Sequence, residues 1–252
     1  MNEKQEIIIE PWHQTPVGAG RVFAAVYPHS DDFTIFSSGL ITKLLREGYT
    51  GYFIRITNDM VDSLDDTPGR TAANIEREMD DLVREMGIAK CYDFNYMNHY
   101  LNNGQITELR HRLMTIFRIR KVDTVISFDP SSHHEENPDH YITALAVEQA
   151  CWMAACRTDL EELKDAGIEP FAVRQKYYIS RWHLQTVNRV IDLAPVLENK
   201  VRALMCNRSP IGKMCRSDDP AVMEAYIRSH FFNKKEPLMG LNNYEAYYHI
   251  GK

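Results

Sequence analysis

Several features that would place a protein in a specialised class are missing from this 252-residue sequence. No apolar run approaches the roughly 20 residues of a membrane-spanning helix, and residues 1–10 lack the basic and apolar regions of a signal peptide. The five cysteines include no C-x-x-C pair, which argues against a disulfide framework or a thiolate zinc site. The formal net charge is −6 and no long basic run occurs. We therefore expect a cytoplasmic protein with reduced cysteines and no membrane or nucleic-acid partner.

The composition that remains is ordinary for a globular protein, with 25% charged and 44% hydrophobic residues. The length favours one domain over residues 1–252, with a core at about 20–206. Strand and helix patterns alternate, which predicts an α/β, Rossmann-like fold with a mainly parallel sheet flanked by helices. Beyond residue 207 the sequence predicts an irregular C-terminal part with one helix and a tyrosine-rich tail.

The predicted elements follow from hydrophobic periodicity and from glycine at helix ends. Strands are predicted at 22–27, 51–57, 91–94, 124–128, 176–182 and 187–193, and helices at 37–47, 72–86, 106–118, 198–205 and 221–232, with a further helix after residue 138. We expect the last two strands to form an antiparallel edge of the sheet.

An apolar strand that runs directly into polar side chains is the strongest functional signal in the sequence. Residues 22–27 are nearly all apolar, as in a strand buried on both faces of a parallel sheet, and Pro28 ends the run. An imidazole and two carboxylates follow, from His29, Asp31 and Asp32. They lie just beyond the carboxyl end of the strand, where open α/β sheets bind ligands. Such a group can hold a divalent cation.

A second polar loop follows the strand predicted at 124–128. Its imidazole and carboxylate groups come from His133, His134, Glu135, Glu136, Asp139 and His140. Parallel strands have their carboxyl ends at one edge of the sheet, so the two loops can meet although about a hundred residues separate them. Catalytic zinc usually has three His or carboxylate ligands and an open position for water. We predict that His29, Asp32 and His140 are the ligands.

The remaining carboxylate of the first loop, Asp31, is then available as a general base. Zinc lowers the pKa of a bound water to about 7, which makes hydroxide available at neutral pH. Asp31 would take a proton from this water while the metal polarises the carbonyl under attack. Another divalent metal is an alternative to zinc.

Helix capping is an alternative explanation for several of these residues. Asp31 and Asp32 can cap the helix that follows the first strand. Residues 137–139, Asn-Pro-Asp, are what the start of a helix favours. In this second motif both interpretations can hold, because a cap fixes the direction of His140 and leaves Asp139 to orient a neighbouring imidazole.

These motifs together resemble the PIG-L/LmbE family of zinc-dependent deacetylases. The shared features are a strand followed by P-H-x-D-D, a T-N pair ending at Asn58 after the second strand, and P-D-H opening a helix after a D-P pair. They cover about 22–205, and their order makes them more specific than either motif alone. The resemblance implies a Rossmann-like metalloenzyme that removes acyl groups from amino sugars such as N-acetylglucosamine derivatives. The predicted ligands and base match the family's zinc ligands and general base.

The chain departs from the family pattern near both loops. Phe33 stands where the family usually has Glu, and Asn137 stands where a family histidine stabilises the oxyanion. The resemblance implies that Asn137 donates a neutral hydrogen bond there, with His133 or His134 as alternative imidazole donors. A solvated position in the loop is the other interpretation of these two histidines.

The substrate-binding arginine of the family's second helix has no clear match either. Ile75 occupies the aligned position, so Arg70 or Arg77 would have to substitute. Together with Asn58, Arg77 is therefore a candidate for the second shell or for substrate contact.

The predicted function is metal-dependent removal of the acetyl group, or another acyl group, from an N-acetyl amino sugar or its glycoconjugate. Two alternatives stay open. One is a catalytically weakened or non-catalytic relative that binds metal and sugar, suggested by Phe33 and Asn137, and the other is an amidase for a non-sugar N-acyl substrate. A metal-free nucleotide-binding domain would need a glycine-rich turn after the first strand, where this chain has His-Ser-Asp-Asp. The resemblance also implies a homo-oligomer.

Overall fold

The structure, a computed structural model, describes residues 6–131, 134–181 and 185–251. The strands are β1 Ile8–Ile9, β2 Val22–Tyr27, β3 Thr50–Thr57, β4 Lys90–Tyr96, β5 Thr124–Phe128, β6 Gln175–Ile179, β7 Arg189–Asp192 and β8 Tyr244–Gly251. The helices are α1 Asp32–Arg46, α2 Pro68–Met86, α3 Ile106–Arg120, α4 Pro138–Met153, α5 Leu197–Cys206, α6 Arg208–Cys215 and α7 Pro220–His230. Within these residues the strands form one eight-stranded sheet, in the order β1-β7-β8-β6-β5-β2-β3-β4.

The sheet is mainly parallel and has helices on its faces, which confirms the predicted fold class. Of the described strands, β8 alone is antiparallel to its neighbours, β6 and β7. The prediction that residues 176–182 and 187–193 form an antiparallel edge is wrong. β6 pairs in parallel with β5, and β7 lies inside the sheet between β1 and β8. The tyrosine-rich tail, predicted only to pack against the core or a partner, supplies the antiparallel strand.

The C-terminal part contains more regular structure than predicted, although 216–219 and 231–243 are irregular. Besides the predicted helix, it contains α6 and β8, and the sheet therefore extends beyond residues 20–206. α6 includes Pro210 and Gly212, which are poor helix formers, so periodicity does not reveal it. Tertiary packing holds it instead, in an apolar cluster of α5 to α7 formed by Val201, Leu204, Ile211, Met223, Ile227 and Phe232.

Two helices begin earlier than their apolar patterns predict. α1 begins at Asp32 rather than at residue 37, because the Asp31 carbonyl accepts the backbone N–H of Ile35 and starts the ladder there. α2 begins at Pro68, and it ends at Gly87 in a left-handed conformation with a φ of 75°, as predicted. No helix in the described ranges is long and apolar enough to cross a membrane. All five cysteines are free thiols.

β2 lies at the point of the sheet where the strand order reverses. The chain proceeds from β2 to β3 and β4 on one side, and β5 then pairs with β2 on the other. Alternate residues of β2 point into two different cores, with Phe23 in one cluster and Ala24 in the other. The loops that leave β2 and β5 therefore emerge side by side, at the position where such sheets bind ligands.

Candidate metal centre

The two polar loops meet at the carboxyl edge of the sheet, as predicted. His29 lies between β2 and α1, Asp32 begins α1, and His140 lies in the first turn of α4. Nδ1 of His29 is 3.2 Å from Nε2 of His140, and Oδ1 of Asp32 is 3.7 Å from the same nitrogen. All three side chains are buried, and one ligand atom from each lies within 4.8 Å of the others. The structure thus brings the three predicted ligands together.

A carboxylate lies beside the outer nitrogen of each imidazole. Nε2 of His29 is 3.1 Å from Oδ2 of Asp139, and Nδ1 of His140 is 3.2 Å from Oε1 of Glu135. When a neutral imidazole donates to such a carboxylate, its inner nitrogen carries a lone pair. Two imidazole lone pairs and a carboxylate oxygen form a donor set that fits zinc, and outer carboxylates are the usual partners of metal-binding histidines.

Glu135 and Arg181 form an ion pair behind His140. Nη1 of Arg181 is 2.9 Å from Oε2 of Glu135 and 3.2 Å from Nδ1 of His140. Of these two neighbours, the carboxylate is the one that can accept a proton from the imidazole. Arg181 was not predicted as a site residue, because it ends a strand segment with no motif around it.

Charge compensation is strong inside the cluster. Burial alone would lower the pKa of His29, but the carboxylates of Asp32, Asp139 and Asp59 raise that pKa well above its ordinary value. Burial alone would raise the pKa of Asp32, but His140 and His29 hold it below its ordinary value. A cation bound among these residues would supply the positive charge that protons on the imidazoles otherwise provide.

Asp31 lies half-buried in the wall of a cavity beside the cluster. Burial raises the pKa of Asp31 well above its ordinary value, and the neighbouring Asp32 carboxylate adds to this effect. The capping alternative is not supported for this residue, because among the described residues the Asp31 side chain makes no capping hydrogen bond to α1. Its carboxylate is a proton acceptor of raised basicity, as a general base requires.

Asn137 caps α4 and also lines the same cavity. Its Oδ1 accepts the backbone N–H of Asp139 at 3.0 Å, and Pro138 occupies the first turn. Both interpretations of the second motif thus hold together. Because the cap uses the amide oxygen, the side chain can offer N–H donors to the cavity. Asp139 is fully buried and also accepts the backbone N–H of His99 at 2.6 Å, which fixes the carboxylate beside His29.

Several predicted residues are not brought to the cavity. Arg77 is exposed on α2, where its Nη2 donates to Asn74 at 2.6 Å, and it therefore points along its own helix. Asn58 closes the loop after β3 by accepting the backbone N–H of Met60 at 3.3 Å. His134 is exposed and is not among the described residues that line the cavity. His133 lies outside the described residues.

The structure explains two of the departures from the family pattern. Phe33 is fully buried and stacks on Phe53, with ring centroids 4.3 Å apart, so it belongs to the core. Ile75 is also fully buried. Arg70, the other candidate for the missing arginine, is 77% exposed and pairs with Asp66 at 3.4 Å. Neither Arg70 nor Arg77 lines the cavity, so neither takes the place of the family's arginine.

Asp59 is a buried positioning residue that the sequence analysis missed. Its Oδ2 accepts the backbone N–H of Ser30 at 2.8 Å, its Oδ1 accepts from Thr57 Oγ1 at 2.7 Å, and Nη1 of Arg55 lies 3.6 Å away. Its backbone is left-handed, with a φ of 53°, which is uncommon outside glycine. Asp59 therefore ties the loop after β3 to the loop that carries His29.

The cavity has a volume of about 430 Å³, within the range of small-molecule sites. It is lined by His29, Asp31, Asp32, Ile35, Phe36, Asp62, His99, Asn137, His140, Pro210, Lys213 and Met214. Three polar residues in this lining, Asp62, His99 and Lys213, were not predicted as site residues. His99 and Asp62 lie in loops without a motif, and Lys213 lies on α6, which the sequence did not reveal.

The fold and the cluster define a Rossmann-like protein with a candidate metal site at the switch point of its sheet. The family model for PIG-L, described as GlcNAc-PI de-N-acetylase, matches residues 24–151. The chain belongs to this family. No curated protein matches the sequence.

Three solved structures illustrate the range of proteins that share the fold. An N,N'-diacetylchitobiose deacetylase from Pyrococcus horikoshii superposes with a TM-score of 0.75 at 22% identity, covering 92% of this chain and 84% of that chain. The hydratase GalB, a 4-carboxy-2-hydroxymuconate hydratase from Pseudomonas putida KT2440, gives 0.67 at 13% identity, covering 92% and 97%. The zinc-inhibited form of a teicoplanin deacetylase gives 0.59 at 11% identity, covering 92% and 98%.

These structures share the fold with this chain, and one of them is named for a different reaction. Function therefore has to be argued from the family and from the site. The family match supports a hydrolytic deacetylase.

Proposed function

We propose that the protein is a zinc-dependent hydrolase that removes the acetyl group from an N-acetyl amino sugar or its glycoconjugate. The observation that carries the proposal is the convergence of His29, Asp32 and His140, with a carboxylate beside the outer nitrogen of each imidazole. His29, Asp32 and His140 would hold the metal, and Asp139 and Glu135 would orient the two imidazoles.

A zinc ion bound by these residues would supply Lewis-acid polarisation of the amide carbonyl and a lower pKa for water. The chain's own residues then have distinct tasks. Asp31 accepts the proton of the attacking water and returns it to the departing nitrogen, so that the amide C–N bond is replaced by a C–O bond and the products are acetate and a free amine. Asp31 lines the cavity beside the three proposed ligands, which is where a group with this task has to lie.

Asn137 would stabilise the developing negative charge on the acyl oxygen. Its amide oxygen is committed to the α4 cap, so an N–H group is what it can direct at the substrate. A neutral donor is weaker here than a charged one, and loss of an oxyanion donor typically costs about 10²–10³ in rate. We therefore expect activity, with Asn137→Ala slower than the wild type.

The first experiment measures metal content and acetate release for the wild type, Asp32→Ala and Asp31→Asn, with N-acetylglucosamine derivatives as substrates. We expect about one zinc per chain and acetate release in the wild type. Asp32→Ala should lose both, whereas Asp31→Asn should retain zinc and lose acetate release. Glu136→Gln, at an exposed carboxylate in the second loop, is the matched control.

The outcomes separate the alternatives. Zinc without acetate release from any amino sugar would favour a non-catalytic relative, or an amidase if simple N-acyl amines are cleaved. Wild-type protein that binds no metal after zinc reconstitution would contradict the proposal. The single-domain organisation, the cytoplasmic location and the homo-oligomer remain predictions from the sequence.

A further inference from the structure

Asp62 and Lys213 form an ion pair in the wall of the cavity. Nζ of Lys213 is 2.9 Å from Oδ1 of Asp62 and donates to the carbonyl of Val61 at 2.9 Å. The pair joins two elements far apart in sequence, the loop after β3 and helix α6. The side chains are 22% and 44% exposed, respectively, so both remain accessible from the cavity.

Among the residues that the structure describes, the hydrogen bonds of this pair use only part of its donors and acceptors. An ammonium group has three N–H donors, and Val61 and Asp62 take two of those of Lys213. The Asp62 carboxylate accepts from Lys213 on Oδ1 and from Asn98 Nδ2 on Oδ2, at 3.2 Å, although each of its oxygens has two lone pairs. The pair can therefore present one donor and at least one acceptor to a ligand.

Hydrogen bonds orient both charged groups before a ligand binds. Asn98 is buried, with 1% of its surface exposed, and its amide fixes Oδ2 of Asp62. Lys213 lies on α6, whose Ile211 packs in the apolar cluster of α5 to α7. Positions that are fixed before a ligand binds lose little entropy on binding, which favours specific recognition.

The rest of the cavity wall is complementary to a sugar ring. Apolar side chains from α1 and α6 line it, namely Ile35, Phe36, Pro210 and Met214. A pyranose has C–H faces that pack on apolar groups and hydroxyls that both donate and accept. A hydroxyl that donates to a carboxylate while it accepts from an ammonium group satisfies both.

We infer that Asp62 and Lys213 are specificity-determining residues that bind hydroxyl groups of the substrate's sugar ring. The inference rests on the proposed function and narrows the substrate to an N-acyl sugar with free hydroxyl groups. An N-acyl amine without ring hydroxyls has the same amide bond for the enzyme to cleave. Asp62 and Lys213 would make no hydrogen bonds to it and would not increase its affinity.

The test measures kcat and KM for acetate release from N-acetylglucosamine and its 3-, 4- and 6-deoxy analogues. The variants are Lys213→Met, Asp62→Asn and Lys213→Arg, with Lys164→Met as control, because Lys164 pairs with Glu161 away from the cavity. We expect Lys213→Met and Asp62→Asn to raise KM at least about tenfold with kcat nearly unchanged, since each loses a charge-assisted hydrogen bond. Lys213→Arg should have a KM close to that of the wild type, because it keeps the positive charge and the N–H donors. The control Lys164→Met should have the kcat and KM of the wild type.

The deoxy analogues distinguish recognition from a merely structural clamp between the loop and α6. If Lys213 binds a ring hydroxyl, removing that hydroxyl and removing the lysine must be non-additive, so one deoxy analogue should show the same KM with the wild type and with Lys213→Met. The inference would be overturned if the effects of the lysine and of the hydroxyl on KM were additive for every analogue, or if Lys213→Met left KM unchanged. In either case, acetate release by the wild type would leave the proposed function intact. Absence of acetate release from every amino sugar would overturn both.

Discussion

The carboxylate of Glu245 in β8 accepts the backbone N–H of Gly39, at 2.9 Å, in the middle of helix α1. It accepts the next N–H, of Leu40, at 2.9 Å as well. The carbonyls four residues earlier accept side-chain donors, from Lys200 at Ile35 and from Tyr247 at Phe36. Three side chains thus bind four backbone groups that lie one turn apart in α1.

This arrangement connects the last strand to the first turns of α1, which carry Asp32 and the cavity residue Phe36. The Glu245 carboxylate is buried and also pairs with Lys200 at 2.8 Å. A Cβ on Gly39 would lie 2.1 Å from Cδ2 of Leu193 and 2.9 Å from Oε2 of Glu245, so a larger residue there would displace these two buried side chains. The geometry of the site therefore depends on the C-terminal strand.

We predict that Glu245→Ala strongly destabilises the protein. The substitution leaves the Lys200 ammonium and two backbone N–H groups without their partner in a buried position, and breaking a buried pair typically costs about 3–5 kcal/mol. The free energy of unfolding from denaturant titration is the measurement. Glu198→Ala removes an exposed partner of Arg228 and is the control, with little change expected. Equal stability of the two variants would contradict the role assigned to Glu245.

The central part of the fold and of the candidate site could be predicted from the sequence. The predicted bounds of β5 agree with the structure, because Val125, Ile126 and Phe128 form an apolar segment that is too short for a helix and ends at Asp129-Pro130. The convergence of His29 and His140 followed from parallel topology alone, since both lie just beyond strands whose carboxyl ends share one edge. Neither prediction needed side-chain coordinates.

The remaining parts depend on contacts that a sequence pattern does not contain. Lys213 belongs to the cavity because α6 packs on α5 and α7, and the proline and glycine of α6 obscure that helix. Glu245 lies on a strand whose tyrosines and histidine lack the regular alternation of a half-buried strand. Arg77 is a candidate only because it lies two residues from the aligned position of Ile75, and the structure shows that it lies on the exposed side of α2.

Removal of the metal should destabilise the folded protein. A ligand that binds only the native state at about 100 times its Kd contributes about 2.7 kcal/mol, and chelation removes that contribution. We expect a lower Tm in the presence of a strong chelator, reversed by excess zinc. The Asp32→Ala variant serves as control, because its Tm should not respond to either reagent. A wild-type Tm that is also insensitive would contradict a metal bound by this cluster.

Asp139 should control metal affinity without being a ligand. It holds Nε2 of His29 at 3.1 Å, and loss of such an outer partner typically lowers metal affinity about 10–100-fold. Asp139→Asn keeps an acceptor for the backbone N–H of His99 and loses the charge beside the imidazole. Zinc affinity measured by competition with a chelating dye should fall in this range, and Glu136→Gln should match the wild type. An unchanged affinity would show that the carboxylate does not support His29.

Arg118 should stabilise the end of α4 through the shape of its guanidinium. The side chain is buried and donates to carbonyls of that helix end and the following loop, among them Ala154 at 3.0 Å, Cys156 at 2.7 Å and Asp159 at 2.7 Å. Lysine keeps the charge but cannot match this planar set of donors. We expect Arg118→Lys to lose at least about 2 kcal/mol of unfolding free energy, since buried carbonyls lose their partners.

The measurement is a denaturant titration, with Arg84→Lys as the control. Arg84 is 75% exposed, pairs with Asp81 and donates to no buried carbonyl among the described contacts, so its replacement should change stability little. If the two substitutions have the same effect, charge rather than donor geometry accounts for Arg118.

Glu78 should make part of the stability depend on pH. It is buried between α2 and α6, where burial raises its pKa above the ordinary value of 4.5 although Ser209 donates to it at 2.8 Å and opposes the shift. Between 4.5 and the raised pKa, the folded protein binds more protons than the unfolded chain, so an increase in pH favours unfolding. The contribution of Glu78 is thus fully present below pH 4.5 and is lost as pH rises through the folded pKa.

Glu78→Gln removes this titration and keeps the shape of the side chain. The stability of the wild type relative to this variant should therefore fall as pH rises from about 4.5 to 7. Denaturant titrations of both proteins in a chelating buffer, which keeps the metal out of the comparison, measure the difference at each pH. Glu76→Gln, at an exposed carboxylate of the same helix, is the control for the substitution itself. A wild-type advantage that is constant or grows with pH would mean that the native environment of Glu78 favours its ionised form.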